Sequence, residues 1–345
     1  MRARVRPTTL AGPLARLARA MTGWSVLALP LSMFFWVAQP SQANAALTCS
    51  IGAAGGNYGS VDVLTGAAAT ASATFTISCT GGTAGQIAIL CTEFGQGSPN
   101  ASSSVRYMGN GAATTIHELY TSAALTTVWG SWGYGTAAYG SGGYAWDPSI
   151  ASDGTATATF TVYGQFKGSQ TTAVPGTYTW TNSTPVLTYA QAATGTPCTT
   201  KPTGSKTATA GASNWTVTVI ANCYIGTAPI AFGTVGLLSS AVTAIGYFGT
   251  NCSNTWPYTM SLSAGSGPGA TVTTRYMTNG ASTVAYSLYQ NSGYTTVWGS
   301  TIGTDTMSST GTGAVQLFTI YGKAPSQSTP PPGSYSDTVV ATITF

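Results

Sequence analysis

Two stretches of this chain repeat one another at a constant offset of 169 residues. Arg106-Tyr-Met-Gly-Asn-Gly-Ala through Thr126-Thr-Val-Trp-Gly-Ser131 aligns with Arg275-Tyr-Met-Thr-Asn-Gly-Ala through Thr295-Thr-Val-Trp-Gly-Ser300, with 15 identities over 26 positions. Two further blocks follow in the same order. Phe160-Thr-Val-Tyr-Gly164 matches Phe318-Thr-Ile-Tyr-Gly322, and Pro175-Gly-Thr-Tyr178 matches Pro332-Gly-Ser-Tyr335. Cys49 and Cys79 stand 30 apart, and Cys223 and Cys252 stand 29 apart. An ordered series of this kind does not arise from shared composition. The chain is a duplication, and whatever fold it adopts it must adopt twice.

Each copy breaks into short runs bounded by Gly, Ser, Asn and Pro, the punctuation of β-strands. Charged residues make up only 5% of the 345, and strand formers far outnumber Glu, Lys, Arg and Gln. In the second copy, strands are expected near 215–222, 244–252, 258–264, 284–290, 314–323 and 334–345. The last alternates most cleanly. Tyr335, Val339, Ala341, Ile343 and Phe345 share one face, and Ser336, Thr338, Thr342 and Thr344 the other. Strands of this length with turns between them point to an all-β fold of two tandem sandwiches.

The basic residues are unevenly placed. Arg2, Arg4, Arg6, Arg16 and Arg19 precede an apolar run at 24–37, which ends near Ala43-Asn-Ala45. A basic start, a short apolar stretch and a small-x-small site make a secretory leader, expected at 1–45. The run holds Pro30 and is shorter than the roughly 20 residues a membrane span needs. Five of the eleven Lys and Arg lie in this leader, leaving six against seven acidic residues. That balance argues against a nucleic-acid partner.

Catalytic and metal chemistry find little to work with. His117 is the single histidine, no Cys-x-x-Cys pair occurs, and no nucleophile elbow or phosphate loop is apparent. Glu118 adjoins His117, but neighbours on a strand point to opposite faces. No enzyme activity, metal or cofactor is expected.

The blocks above, with Val297-Trp-Gly299, the terminal Pro332-Gly-Ser-Tyr335 through Phe345, Ala221-Asn-Cys223 and Ala231-Phe-Gly233, resemble the spore coat protein U-like domain of archaic chaperone–usher pili. Two such domains in tandem look most like the tip adhesin of those pili. The resemblance implies immunoglobulin-like sandwiches, the second lacking its final strand. A periplasmic pilus chaperone, an outer-membrane usher and an adjacent pilin subunit are the implied partners, and an abiotic or host surface is the implied target. A supplied strand would meet Tyr335, Val339, Ala341, Ile343 and Phe345. Cleavage after Ala45 leaves three residues before Cys49, too few for a donor arm, which suits a tip position. The expected organisation is a leader at 1–45, an adhesin domain at 46–190, a linker at 191–213 and a pilin domain at 214–345. A passive coat protein without a receptor and a glycan-binding adhesin are the alternatives.

By the repeat, Cys49 pairs naturally with Cys79 and Cys223 with Cys252. Cys91 and Cys198 have no counterparts and are left for each other, a pairing that could hold a completing strand from 190–212 against the first domain. A free Cys91 is the other possibility, and sequence leaves the connectivity open.

The copies differ most between Ser131 and Phe160, a span 11 residues longer than its equivalent. The insertion carries Trp132, Tyr134, Tyr139, Tyr144 and Trp146 among Gly and Ala. Rigid aromatic rings on a long loop suit a contact surface, and these five residues are the candidates for attachment. The rival reading folds them back onto the sandwich as a lid. Asp147 and Asp153 alongside them leave a sugar platform open. Trp129 and Trp298, present in both copies, read as core.

Overall fold

The computed structural model describes residues 46–99, 105–131, 144–182 and 185–345. The leader expected at 1–45 lies outside the described residues. The first half runs through β1 (Thr48–Ile51), β2 (Gly56–Val61), β3 (Ala69–Thr80), β4 (Ile87–Glu93), β5 (Arg106–Asn110), β6 (Ala113–Tyr120), β7 (Tyr144–Trp146), β8 (Ala156–Phe166), β9 (Gly176–Asn182) and β10 (Val186–Ala192). It continues through β11 (Lys206–Thr209) and β12 (Ser213–Val219). The second half holds β13 (Cys223–Thr227), β14 (Val242–Cys252), β15 (Pro257–Leu262), β16 (Arg275–Asn279), β17 (Ser282–Tyr289), β18 (Met307–Thr310), β19 (Val315–Ala324) and β20 (Ala341–Thr344).

The sheets repeat as the sequence does. In the first half the orders are β1-β3-β8-β6-β5-β9-β12-β2 and β11-β10-β4-β7, and in the second β13-β14-β19-β17-β16 and β18-β15-β20. The all-β fold of two tandem sandwiches is therefore observed. Alternation builds each core. Along β3, Phe75, Ile77 and Cys79 are buried while Thr74, Thr76, Ser78 and Thr80 face out. One apolar cluster fills each half.

The repeated motifs are the struts of these sandwiches. Trp129 and Trp298 are fully buried, and each indole N–H crosses to the opposite sheet, donating to the carbonyl of Thr92 or Met260 at 3.1 Å. Arg106 and Arg275 are buried too, which is tolerable only where every donor finds an acceptor. Arg106 donates to the carbonyls of Phe94 (2.6 Å), Gly95 (3.0 Å) and Trp129 (2.8 Å) and pairs with Glu118. Arg275 donates to the carbonyls of Ser263 (2.9 Å), Val272 (2.8 Å) and Trp298 (2.8 Å). The Pro-Gly-x-Tyr block has its own reason. The hydroxyls of Tyr178 and Tyr335 donate to carbonyls four residues back, Val174 (2.9 Å) and Pro331 (2.8 Å), pinning the entry to the next strand.

All six cysteines are paired as Cys49–Cys79, Cys91–Cys198 and Cys223–Cys252. The first and third join directly opposed residues of neighbouring strands. The second clamps the chain after β10 over the outer face of β4, where Ile89 and Cys91 form a small separate cluster with Cys198.

Two expectations about strands are corrected. The strand foreseen near 215–222 as the start of the second domain is β12, and it pairs with β9 antiparallel and β2 parallel, inside the first domain's sheet. A completing strand does lie within the expected 190–212, as β11, but the segment runs on to 219 through β12, so the boundary expected at 213/214 falls inside the first sandwich. The reason is the buried face of β12: Trp215, Val217 and Val219 are at most 1% exposed, a core with no equivalent on the second domain's side. The single strand foreseen at 334–345 is also broken. Ser336 bridges to Thr278 in one sheet, and β20 then joins β15 in the other. Sidedness survives the switch, since Tyr335, Val339, Ala341 and Ile343 all pack on the second core, and at the bend Asp337 accepts from the amide of Ser266 (2.7 Å).

Trp215→Ala is expected to lower the stability of the first domain by about 3–5 kcal/mol, as for other buried Trp truncations. Urea unfolding of the full chain, followed domain by domain with hydrogen exchange, checks this. The second domain's transition should not move, and a first-domain loss under about 1 kcal/mol would mean that β12 is not part of its core.

Candidate functional site

Backbone N–H and C=O groups along a strand edge need partners, so the informative places are edges that one copy covers and the other leaves open. In the first domain, residues 206–219 lie antiparallel along 176–189. β11 covers β10 from Val186↔Thr209 to Tyr189↔Lys206, and β12 covers β9 from Ser213↔Asn182 to Val219↔Gly176. One segment closes both sheets. In the second domain the counterpart of β9 is 333–339, held to β16 through reciprocal bonds between Thr278 and Ser336 (2.8 and 3.2 Å). No described strand lies against its other side, nor against the free edge of β20.

The far wall of this gap is the counterpart of β2. Asn57-Tyr-Gly-Ser-Val61 aligns with Ala231-Phe-Gly-Thr-Val235, and Gly59 and Gly233 share the same turn, with φ of 76° and 77°. The first is a strand; the second forms no strand and is largely exposed. Between 230–236 and 330–335 lies a cavity of about 900 Å³, floored by Leu238, Val242, Met277, Val284 and Ala324.

Beneath this floor the two copies use different polar groups. Tyr286 lies edge-on to Phe232 at 5.8 Å and donates to Asp337 Oδ2 at 2.6 Å. Burial and that carboxylate push the Tyr286 hydroxyl far above the ordinary phenol value. Burial alone would raise Asp337, but bonds from Tyr286, Ser266 and Thr338 outweigh it and hold the carboxyl below its usual range. In the first copy the equivalents are His117 and Trp180. His117 is fully buried, its Nδ1 3.1 Å from the Tyr58 hydroxyl and its ring edge-on to Trp180 at 5.1 Å.

The residues singled out from sequence fall in different places. Tyr335 lines the cavity. Val339, Ala341 and Ile343 pack against the second core, and Phe345 is half exposed. Trp132, Tyr134 and Tyr139 lie outside the described residues. Tyr144 and Trp146 form β7, an edge strand on β4, and the Trp146 side chain is 53% exposed while its ring stands 6.3 Å from Phe160. Asp153 is held in a turn by Thr155 (3.0 and 2.7 Å). Asp147 is partly desolvated, which raises its carboxyl. Residues 230–238, which build half of the groove, were missed as a site. Their signal was the alignment with 56–64, where a strand in one copy becomes an unpaired segment in the other.

A family model described as the Spore Coat Protein U domain matches residues 36–182 and again 206–342. The chain belongs to the Spore Coat Protein U domain family. Among curated proteins it is similar to Protein U of Myxococcus xanthus, 37% identical over 111 residues, which is 32% of this chain and 54% of that protein. The chain thus spans about half the length of that relative. Among solved structures, one similar chain comes from the chaperone–tip adhesion subunit pre-assembly complex CsuC–CsuE of archaic chaperone-usher Csu pili of Acinetobacter baumannii. It is 18% identical, with a TM-score of 0.48, covering 86% of this chain and 100% of that one. The CupB6 tip adhesin of Pseudomonas aeruginosa is 9% identical with a TM-score of 0.35, covering 87% and 94%. The second family match starts at 206, so β11 and β12 are by sequence the leading arm of the second Spore Coat Protein U domain. In space they complete the first.

The buried His117 gives this chain a pH dependence that the second domain's Tyr286 does not share. Burial, and then the nearby Arg106 cation, hold its pKa well below the ordinary value. Below about pH 6.5 the unfolded chain binds a proton that the folded domain refuses. This stability is therefore complete above the unfolded value and drains as pH falls toward the depressed folded one, by up to about 1.4 kcal/mol per unit. Denaturant unfolding of the first domain between pH 7.5 and 5 checks it, and His117→Phe should flatten the slope in that window.

Proposed function

We propose that this protein is the tip subunit of a chaperone–usher surface fibre. Its second domain joins the fibre by accepting a β-strand, first from a periplasmic chaperone and then from an adjacent pilin subunit delivered at an outer-membrane usher. Its first domain, already closed, faces outward and attaches the fibre to an abiotic or host surface. The observation that carries the reading is the contrast between the two edges: 176–189 is covered by 206–219, while among the described residues no strand covers 333–344.

The physical logic is strand addition. An open edge beside an apolar cavity gains main-chain hydrogen bonds and buried area together when an extended segment enters. The chain holds one such joint within itself, since the arm preceding the second domain fills the gap in the first. The second domain's gap then suits the arm of another copy of this domain type. Attachment is assigned to the 132–146 insertion, with Trp146 presented on an edge strand.

Two outcomes are expected. The mature chain, produced with a periplasmic pilus chaperone, should copurify with it in equal amount and largely precipitate without it; good yields of monomer in both cases would remove the strand-accepting role and favour a passive coat protein. Deleting 132–143 should leave that copurification intact and reduce attachment of fibre-bearing cells to plain hydrophobic plastic by about tenfold, the scale of a lost aromatic anchor. Attachment blocked by free sugars instead would favour the glycan-binding alternative.

A further inference from the structure

The two copies are mirror cases of packing around one position, and the difference says what kind of strand the open groove accepts. In the first domain the Trp215 ring of β12 rests 5.4 Å from Tyr58 and against the backbone of Gly56 and Gly164, where any Cβ would run into it. Gly164 has the counterpart Gly322, but Gly56 has the counterpart Ile230. The Ile230 side chain reaches over Gly246 and lies 3.4 Å from a Cβ position on Gly322, with the Phe232 ring at 3.0 Å. Phe232 stands over Gly322 as its counterpart Tyr58 stands over Gly164, and Ile230 beside it fills space that Trp215 takes in the first copy.

One strand turn away the sizes are reversed. The first copy has fully buried Phe166 at the end of β8, paired with Ala69. The second has Ala324 paired with Val242, and both line the 900 Å³ cavity beside Tyr335 and Gly333. An aromatic ring has been exchanged for a methyl, and the volume is left for the incoming strand.

We propose that the second domain's groove selects a strand with the opposite size profile to β12: a small residue opposite Asp337, and a bulky aliphatic or aromatic residue opposite Tyr335. Ile230 and Ala324 set this choice. β12 has Trp215 opposite Trp180 and Val217 opposite Tyr178, large then medium, so the groove rejects this chain's own arm. Copies of the protein are thereby barred from adding to one another through β12, and the occupant is a segment of a different polypeptide. The inference rests on the strand-accepting reading of the groove.

The test uses the full mature chain and two peptides, one with this chain's residues 206–220 and one with the same residues carrying W215A and V217F. Binding is read by fluorescence anisotropy, and its place by slowed amide exchange at 333–339, which separates the second groove from the first. The substituted peptide should bind at least about tenfold more tightly, a difference of about 1.4 kcal/mol. Ile230→Gly should recover binding of the unsubstituted peptide, and Ala324→Phe should weaken the substituted one. If both peptides protect 333–339 equally, or the unsubstituted one does so better, the selection fails while the groove reading stands. If neither peptide protects 333–339 in any of the variants, the groove reading fails and the selection with it.

Discussion

A strand edge leaves a row of amides and carbonyls without partners, and the organisation of this molecule follows from how its two copies meet that requirement. The first meets it within the chain. Residues 206–219 run antiparallel along 176–189, crossing from one sheet to the other at the same bend as their partner. That single pairing extends both sheets, buries Trp215, Val217 and Val219, and turns the β2 segment into a strand by giving it a neighbour. The second copy has the same frame of Arg, Trp and Tyr struts but, among the described residues, no such segment. Its equivalent of β2 stays irregular, and a cavity remains where the core would have closed. Openness here is local to one missing element rather than a general looseness of the second domain.

The frame was legible in the sequence because its parts are chemically singular. A repeated Arg-Tyr-Met and Val-Trp-Gly must do the same thing twice, and a buried guanidinium capping carbonyls with an indole bridging the sheets is what they do. The cysteine pairs of each copy followed from the same register. What was not legible was membership. The alternation of Trp215, Val217 and Val219 states that one face is buried, but strand pairing is non-local and alternation carries no information about which sheet does the burying. The break in 334–345 was hidden for a related reason. The bend at Asp337 moves the chain between sheets without changing which side chains point inward, so a period of two continues through it. His117 was discounted beside Glu118 on the ground that neighbours face opposite ways; both are buried, because that stretch of β6 is covered on each side.

Where two copies share a frame, differences that the frame does not require become informative. On the outer face of the first domain, β3 and β8 present Thr74, Thr76, Thr157 and Thr159, with Thr76 and Thr159 bonded across the strands at 3.2 Å. The same positions of the second domain include Tyr247, Gly249, Val315 and Leu317, and Leu317 is 70% exposed. A polar ladder satisfies the fold equally well, so the apolar face is not a demand of the sandwich. It lies on the domain whose groove is open, whereas the closed first domain keeps a wettable flank. The swap of Gly56 and Phe166 for Ile230 and Ala324 belongs to the same pattern of divergence at places where something else must fit.

Connectivity explains why the first groove is closed and the second is not, even though both edges are of one kind. β12 is tethered to its groove through the segment that the Cys91–Cys198 bridge fixes to β4. A strand on such a tether is present at an effective concentration of order millimolar, against roughly micromolar for a segment of another protein, an advantage of about 4 kcal/mol before any difference in contacts. The bridge closes a loop of 107 residues, which in the chain-entropy model removes about 4–5 kcal/mol of freedom from the unfolded chain, so the tether is also hard to lose. No strand of the described chain has a comparable claim on the second groove, because the arm that precedes that domain is already spent on the first. Among the described residues the second edge is consequently left uncovered, and on the proposed reading concentration, delivery and side-chain fit decide what fills it. A duplication in which one arm closes one copy thus produces, without further invention, one finished domain and one whose edge no described strand covers.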